Sequence, residues 1–505
     1  MFVDLSVGNL AEPVSGRHWE RQEIGRQVAL RIARFQAQGL ARGDRVFLPF
    51  GNRLEFFAEL LAIWRLGACA VPIDARLTPF EVQTLVAAAK PRLAVVDDAT
   101  DAHVIQALDE AGVGVVNTTD TGDQQAAVGL SRLDDDALIL FTSGSTGAPK
   151  GVVHTHRSLR ARWITLREAL GTDAFARTLC LLPTHFGHGL ICNCLFPWLS
   201  GQDLFITPPF RPDIIMRLGA LLDEHRITFM SSVPAVWKLA LKISKPPQAG
   251  TLQRIHCGSA PLSAGVWEDI RRWSGTRQVC NAYGITETGS WVAGLSEADC
   301  PAEDGLIGQG WGAVIKVLRT SDTSRPLSAD DECTPGESGF VWLNTPALMK
   351  GYFQRDDLTE QAVVDGWFLT GDIGLIDPRG RLVLRGRERD EINKGGMKIY
   401  PADVDAVVER FEHASDVCTF ALDDAIYGQV VGMAVVMARQ DDGTFRALHQ
   451  WMKEHLAEPK MPVRWWVVEE IPRTSRGKIN RDAVKAVCTD LPALDLTRIL
   501  AEGAK

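Results

Sequence analysis

The chain contains no C-x-x-C pair. Its ten cysteines are scattered, and only Cys192 and Cys194 lie close together. A zinc site or a disulfide framework therefore has no spacing to rest on, and reduced thiols are expected. Basic excess is missing too: the formal net charge of −9 at pH 7 argues against a nucleic-acid or membrane-surface partner, which usually meets a basic face. No run approaches the ~20 apolar residues needed to cross a bilayer. Met1-Phe2-Val3-Asp4-Leu5 places no basic stretch ahead of an apolar one, so a secretory signal is not expected. Internal repeats and low-complexity tracts are lacking, and Asp134-Asp135-Asp136 reads as a solvated loop before a strand. A soluble, cytoplasmic protein is the expectation.

What is present is ordinary globular chain: 505 residues, 46% apolar and 23% charged, enough for roughly two to four compact units. Helical and strand patterns alternate from the start. A helix over 21–38 stopping at Gly39 is followed by a strand at 46–50, a helix at 54–66 and a strand at 68–73. A helix at 79–89 and a strand at 93–96 continue the rhythm. Such alternation predicts βαβ units and a largely parallel sheet, hence an α/β fold. It returns after residue 150 through 177–182, 213–225, 228–232 and 265–273. After about residue 305, short β-rich runs among glycines and prolines predict a smaller, mostly antiparallel region. Past Gly386, a helix at 401–411 and strands at 417–422 and 430–437 suffice for a small α+β domain.

Strand-like Ala137 to Phe141 runs into Thr142-Ser143-Gly144-Ser145-Thr146-Gly147-Ala148-Pro149-Lys150-Gly151. Small residues let backbone N–H groups approach an anion, hydroxyls add donors, and the lysine can neutralise polyphosphate charge. A flexible Gly/Ser turn is the plain alternative, and a ten-residue run after a buried strand is hard to explain that way. Pro149 and Gly151 flank the lysine where a Walker A loop needs Gly and Ser/Thr. A P-loop phosphotransferase, releasing ADP, is therefore the remote alternative.

The run resembles the signature loop of the adenylate-forming superfamily: acyl-CoA synthetases, aryl-CoA ligases, peptide-synthetase adenylation domains and firefly luciferase. Further motifs follow in that superfamily's order, so the resemblance covers nearly the whole chain. It implies that Thr142, Ser143, Gly144, Ser145, Thr146, Gly147 and Lys150 bind the nucleotide. Asn281-Ala282-Tyr283-Gly284-Ile285-Thr286-Glu287-Thr288-Gly289 is similar to the second core motif. By that resemblance Tyr283 stacks on adenine, Thr286 meets the α-phosphate and Glu287 helps hold Mg²⁺, which favours hard carboxylate oxygen. Read alone, the stretch also describes a helix start capped by Thr286. Gly258-Ser259-Ala260-Pro261 resembles the segment lying along the adenine and the acyl pocket. Leu369-Thr370-Gly371-Asp372 resembles the ribose-binding turn, with Asp372 accepting the ribose hydroxyls and Arg387 as a second contact; a lone T-G-D is otherwise a common turn.

Ile471-Pro472-Arg473-Thr474-Ser475-Arg476-Gly477-Lys478-Ile479 is similar to the last motif, which implies that Lys478 bridges the substrate carboxylate and the α-phosphate. A positioned ammonium stabilises charge that builds on phosphorus; read alone, Lys478 is a surface lysine. The stretch from Gly386 to Tyr400 resembles the motif joining the two domains, with Arg389 at the pivot where relatives carry Asp or Lys. Gly395 and Gly396 are expected to line the pantetheine tunnel. In Pro183-Thr184-His185-Phe186-Gly187-His188-Gly189-Leu190, His185 and Phe186 stand interchanged relative to the usual aromatic-His order. Phe186, His185 and Gly189, with Gly258 and Gly284, are the expected acyl-site residues, and each histidine reads equally as structural. No acidic residue stands there, which disfavours an α-amino acid, and Gly187, Gly189, Ser259 and Gly284 are expected to leave room for a bulky apolar acyl group. The resemblance thus implies a domain over 1–385, a mobile domain over 386–505, and Lys478, Thr286 and Glu287 as catalytic residues. The expected reaction is ATP- and Mg²⁺-dependent acyl-adenylation, then thioester formation on coenzyme A, by a monomer or homodimer. Adenylation alone, or loading of a carrier-protein phosphopantetheine, is the alternative.

Overall fold

Local sequence writes many of the early elements. Helix Pro79–Ala89 begins with a capping box: the Thr78 hydroxyl accepts from the Glu81 amide, and the Glu81 carboxylate accepts from the Thr78 amide. Pro79 occupies the first turn, where its missing N–H costs nothing. Helix Leu54–Arg65 is apolar around nearly its whole circumference and buries ten of its twelve residues, as a helix packed on both sides must. The computed structural model describes residues 6–120, 122, 131–142, 149–295, 300–395, 397–474 and 477–501. Among these, no helix is long and apolar enough to cross a membrane.

Three sheets organise the described residues. In the first, strands Gly114–Asn117, Leu93–Val96, Arg45–Leu48, Cys69–Pro72 and Asp136–Thr142 run parallel, and Lys150–Thr155 and Gly351–Tyr352 close the edge antiparallel. The second begins as a parallel run of Leu10–Glu12, Asp203–Ile206, Arg177–Cys180, Phe229–Ser232, Arg254–Gly258 and Val279–Ile285. It continues antiparallel through Ser290–Gly294, Leu306–Gly310, Leu382–Arg387, Trp367–Ile376, Gly339–Asn344 and Val314–Leu318. The third belongs to the C-terminal segment: Met397–Ile399, Ile392–Lys394, Gly428–Met437, Ala414–Asp424 and Arg464–Val467. Its two faces carry separate cores, one around Val417, Met433 and Trp465 and one around Cys418, Phe420 and Trp466. This is the mixed α/β architecture the alternation predicts. The carboxyl ends of neighbouring parallel strands, at Ser232, Gly258 and Tyr283, lie side by side, the usual place for a ligand on such a sheet.

Details differ from the sequence pattern. The helix expected over 213–225 is two helices, Pro212–Met216 and Leu218–Glu224. The helix expected over 401–411 ends at Val408. His188–Leu195 forms a π-helix, a rare element that periodicity does not reveal and that often marks a functional site. Thr286 does not cap a helix: Thr286–Thr288 is a single 3₁₀ turn whose cap position is Ile285.

A buried ion cluster ties helix Arg21–Ala37 to helix Leu54–Arg65. Glu59 is fully buried and accepts from Arg31 Nε at 2.9 Å, Arg34 Nη2 at 2.5 Å and Thr118 Oγ1 at 2.8 Å. Removing the carboxylate strands two buried guanidinium groups. Glu59→Ala is expected to lower stability by about 3–5 kcal/mol, read as a lower midpoint in urea melts. An unchanged midpoint would show that water reaches the two arginines.

Candidate active site

Two antiparallel strands hold the ends of the Gly/Ser-rich run. Thr142 pairs with Lys150, and its hydroxyl donates to the Lys150 carbonyl at 3.4 Å. Ser143, Gly144, Ser145, Thr146 and Gly147 lie outside the described residues. Lys150 Nζ sits 5.6 Å from the centre of the Tyr352 ring. The Tyr352 hydroxyl donates to Glu287 Oε1 at 2.9 Å. Burial and the Glu287 charge push the Tyr352 pKa up, so the phenol keeps its proton and remains a donor. Tyr352 was not among the sequence candidates. It reaches the site because Gly351–Tyr352 pairs with Lys150–Thr155, a contact between segments far apart in the chain.

The turn bearing Thr286 and Glu287 is held by its carbonyls. His154 Nε2 donates to Thr286 O at 2.8 Å, the Met349 amide to Glu287 O at 2.7 Å, and Arg162 Nη2 to Thr288 O at 2.9 Å. Burial pushes the His154 pKa down to about 4, which keeps the ring neutral, and pushes Arg162 down to about 10.

Asp372 is 5% exposed. Its Oδ2 accepts from the Tyr283 hydroxyl at 2.5 Å, and its Oδ1 lies 2.9 Å from Arg387 Nε. The Asp372 charge raises the Arg387 pKa further. Tyr283, expected against the nucleotide base, thus has its hydroxyl on the residue expected to hold the ribose. Each carboxylate oxygen retains a lone pair for a further donor. The Asn281 side chain donates to Leu306 O at 3.0 Å, a structural use. Ala282 stands opposite Gly258 in the paired strands, and Ala260 is half-buried.

Gly189 and Gly284, expected to leave room for an acyl group, and Gly258, expected along the acyl site, each stand against backbone. A Cβ on Gly189 would lie 2.3 Å from Pro183 O, on Gly258 2.2 Å from Ala282 O, and on Gly284 1.9 Å from Ser290 O. Backbone fills the space beside each, so these positions are small because chain segments touch there. This corrects the expectation at Gly189 and Gly284, whereas a Cβ on Gly187 would meet only ordinary contacts, the nearest Leu140 at 3.4 Å. Phe186 is buried with its ring centre 5.9 Å from that of His188. His188 bonds to Ser259 Oγ through Nδ1 at 2.9 Å and to Ser231 Oγ through Nε2 at 2.6 Å. His185 Nε2 lies 3.5 Å from Asp74 Oδ2. An acid therefore reaches this segment from elsewhere in the chain, already paired with Arg76 at 3.0 Å.

Lys478 lies between bridged residues: Arg473 pairs with Ile479, and the Thr474 amide donates to Lys478 O at 2.8 Å. Gly477 turns there with φ 75°, and a Cβ on it would lie 3.2 Å from Val233. Gly477 therefore lies against the carboxyl end of strand Phe229–Ser232. Burial, and then the charge of Lys478, depress the His188 pKa to about 3. Lys238 spans the same junction, with Nζ 2.7 Å from Glu409 and 3.4 Å from Asp416, and Arg473 Nη2 meets Asp416 at 2.6 Å. Arg389 is exposed in the short turn Glu388–Asp390. The Gly395 amide donates to Tyr427 O at 2.8 Å, and Gly396 lies outside the described residues.

Residues 14–353 match the AMP-binding enzymes, and residues 403–478 match the AMP-binding enzyme C-terminal domain. The chain belongs to the AMP-binding enzyme family. A long-chain-fatty-acid–CoA ligase of Mycobacterium tuberculosis is 29% identical over 467 residues, 89% of each chain. An oxalate–CoA ligase of Arabidopsis thaliana is 28% identical, covering 88% of each. The o-succinylbenzoate coenzyme A synthetase of Bacillus subtilis, solved with ATP and a magnesium ion, shares the fold at TM-score 0.82 and 23% identity, over 95% of this chain and 97% of that one. In this AMP-binding enzyme the C-terminal match ends at Lys478 itself.

The site's buried histidines carry a pH signature. His154 and His156 are held down to about 4, and His188 to about 3, chiefly by burial. Above pH 6.5 neither folded nor unfolded chain protonates them, and their contribution is flat. Below it, the unfolded chain binds protons that the folded chain does not, until pH reaches the depressed values. Stability should fall toward pH 4 by up to about 1.4 kcal/mol per pH unit per histidine. Urea melts at pH 7, 6 and 5 read this directly, and no loss between pH 6 and 5 would mean the rings protonate within the fold.

Proposed function

We propose that this chain uses ATP to convert a carboxylic acid to an acyl-adenylate, releasing pyrophosphate, and then passes the acyl group to the thiol of coenzyme A. The observation that carries the reading is a pair of carboxylates already gripped in place: Asp372, held by Tyr283 and Arg387, and Glu287, bonded by Tyr352. A carboxylate oxygen attacks the α-phosphorus, an approach of two anions. Lys478 supplies positive charge where negative charge gathers, without having to reorganise. Glu287 is the carboxylate for the magnesium that enters with ATP; Tyr352 bonds one of its oxygens and leaves lone pairs for a cation. Asp372 and Arg387 are the ribose contacts, and Thr142 and Lys150 flank the phosphates.

For the second step, the part from residue 386 onward turns relative to residues 1–385 about Arg389. Gly395 then borders the path of the pantetheine arm. The thiol sulfur attacks the acyl carbon and AMP leaves. The relatives' acids range from oxalate to long fatty acids, so kinship leaves the acid open.

Lys478→Ala should slow adenylate formation by roughly 10²–10³-fold, seen in pyrophosphate exchange over a carboxylic-acid panel. ATP binding should change little, because the lysine acts mainly in the transition state. Equal exchange rates in mutant and parent would remove Lys478 from the chemistry.

Lys238 supports the arrangement in which Lys478 reaches the site. Lys238→Ala should slow adenylation by about two- to fivefold while thioester formation from supplied acyl-adenylate is not slowed. If both half-reactions slow together, Lys238 serves stability and not domain position.

A further inference from the structure

The hydrogen bonds around His188 have directions that can be assigned. Ser231 Oγ donates to the carbonyl of His256 at 3.0 Å. A hydroxyl has one proton, so toward His188 Nε2, at 2.6 Å, Ser231 can only accept. Nε2 therefore carries hydrogen. His188 is 2% exposed, and burial together with the Lys478 charge keeps the ring neutral, so it has a single N–H. Nδ1 is then bare, and Ser259 Oγ, 2.9 Å away, is the donor to it. The relay runs from Ser259 to His188 to Ser231 to a backbone carbonyl, with every proton directed inward.

Ser259 is the member of this relay that is not buried. It follows strand Arg254–Gly258 directly and is held at φ 66°, a left-handed conformation that disfavours any residue with a Cβ. Strain at a sheet's ligand-binding end points to a positional requirement. With its proton committed to His188, Ser259 presents lone pairs only: it accepts and does not donate. The His188 ring centre lies 5.5 Å from that of Trp291. A Cβ on Gly187 would come within 4.0 Å of Leu140, Ser290 and Thr286.

We propose that Ser259, fixed as an acceptor by His188 and Ser231, is a specificity-determining residue that selects hydroxy-carboxylic acids over their unsubstituted counterparts. The inference rests on the acid-activating function proposed above. A substrate hydroxyl donates to Ser259 Oγ, whereas an alkyl or aryl hydrogen at the same place leaves that oxygen desolvated and unpartnered. Such sites discriminate because the unmade bond is costly. His188 and Ser231 are positioning residues: they act through Ser259.

The test is pyrophosphate exchange by the full chain on matched acids: propionate with lactate and 3-hydroxypropionate, butyrate with its 2-, 3- and 4-hydroxy forms, and benzoate with the three hydroxybenzoates. In at least one set, the hydroxy acid should exceed its parent in kcat/KM by about tenfold. Ser259→Gly, which suits the left-handed backbone, should bring that ratio close to one. His188→Leu should do the same, because the freed Ser259 hydroxyl can then turn and donate. His188→Gln should retain most of the preference, since its amide can accept from Ser259 and donate to Ser231. Preference for the unsubstituted acids in every set overturns the proposal. So does a ratio that survives Ser259→Gly. A rise in the KM for ATP at an unchanged acid ratio also overturns it, because the oxygen would then serve the nucleotide. A parent chain inert toward every acid is a separate failure, of the acid-activating reading itself.

Discussion

The turn Thr286–Thr288 has its three carbonyl oxygens held by His154, the Met349 amide and Arg162, and the rest of the site is built around that restraint. A single 3₁₀ turn has little stability of its own, yet its middle residue must present a carboxylate in one direction. The donors come from three places: the edge of the first sheet, the helix after it and the segment before Gly351–Tyr352. Arg162 is buried, and its hydrogen bonds go to oxygens of Thr288, Trp311, Thr165 and Thr345, none of them a carboxylate. Its charge is satisfied by carbonyl dipoles and hydroxyls, and its desolvation is offset only while the turn keeps its shape.

The same logic extends to Asp372. Thr370 fixes the Asp372 amide, while Tyr283 and Arg387 take one carboxylate oxygen each. These residues come from the parallel strand Val279–Ile285 and the antiparallel pair Trp367–Ile376 and Leu382–Arg387. The long second sheet, which changes from parallel to antiparallel at Val279–Ile285, makes that meeting possible. A carboxylate gripped from two sides is oriented before any ligand arrives, which reduces the ordering cost of binding.

Much of this could be read from the chain alone. Helix Pro79–Ala89 and strand Leu93–Val96 stand where the alternating pattern placed them. The motif order pointed to the adenylate-forming family before any coordinates, and the AMP-binding match bears it out. What failed was inference from residue size. Gly189 and Gly284 looked like open space and are close backbone contacts. The π-helix at His188–Leu195 carries no periodic signal of its own.

The sequence by itself determined the α/β class, the family and the residue types that its chemistry demands, because capping, periodicity and motif spacing act over short stretches of chain. Only the tertiary structure decided who neighbours whom. Tyr352 meets Glu287, Asp74 meets His185 and Lys238 meets Glu409 across long separations in the chain. The direction of the Ser259–His188–Ser231 relay is likewise a tertiary fact, because a hydroxyl can donate or accept until its neighbours spend its one proton.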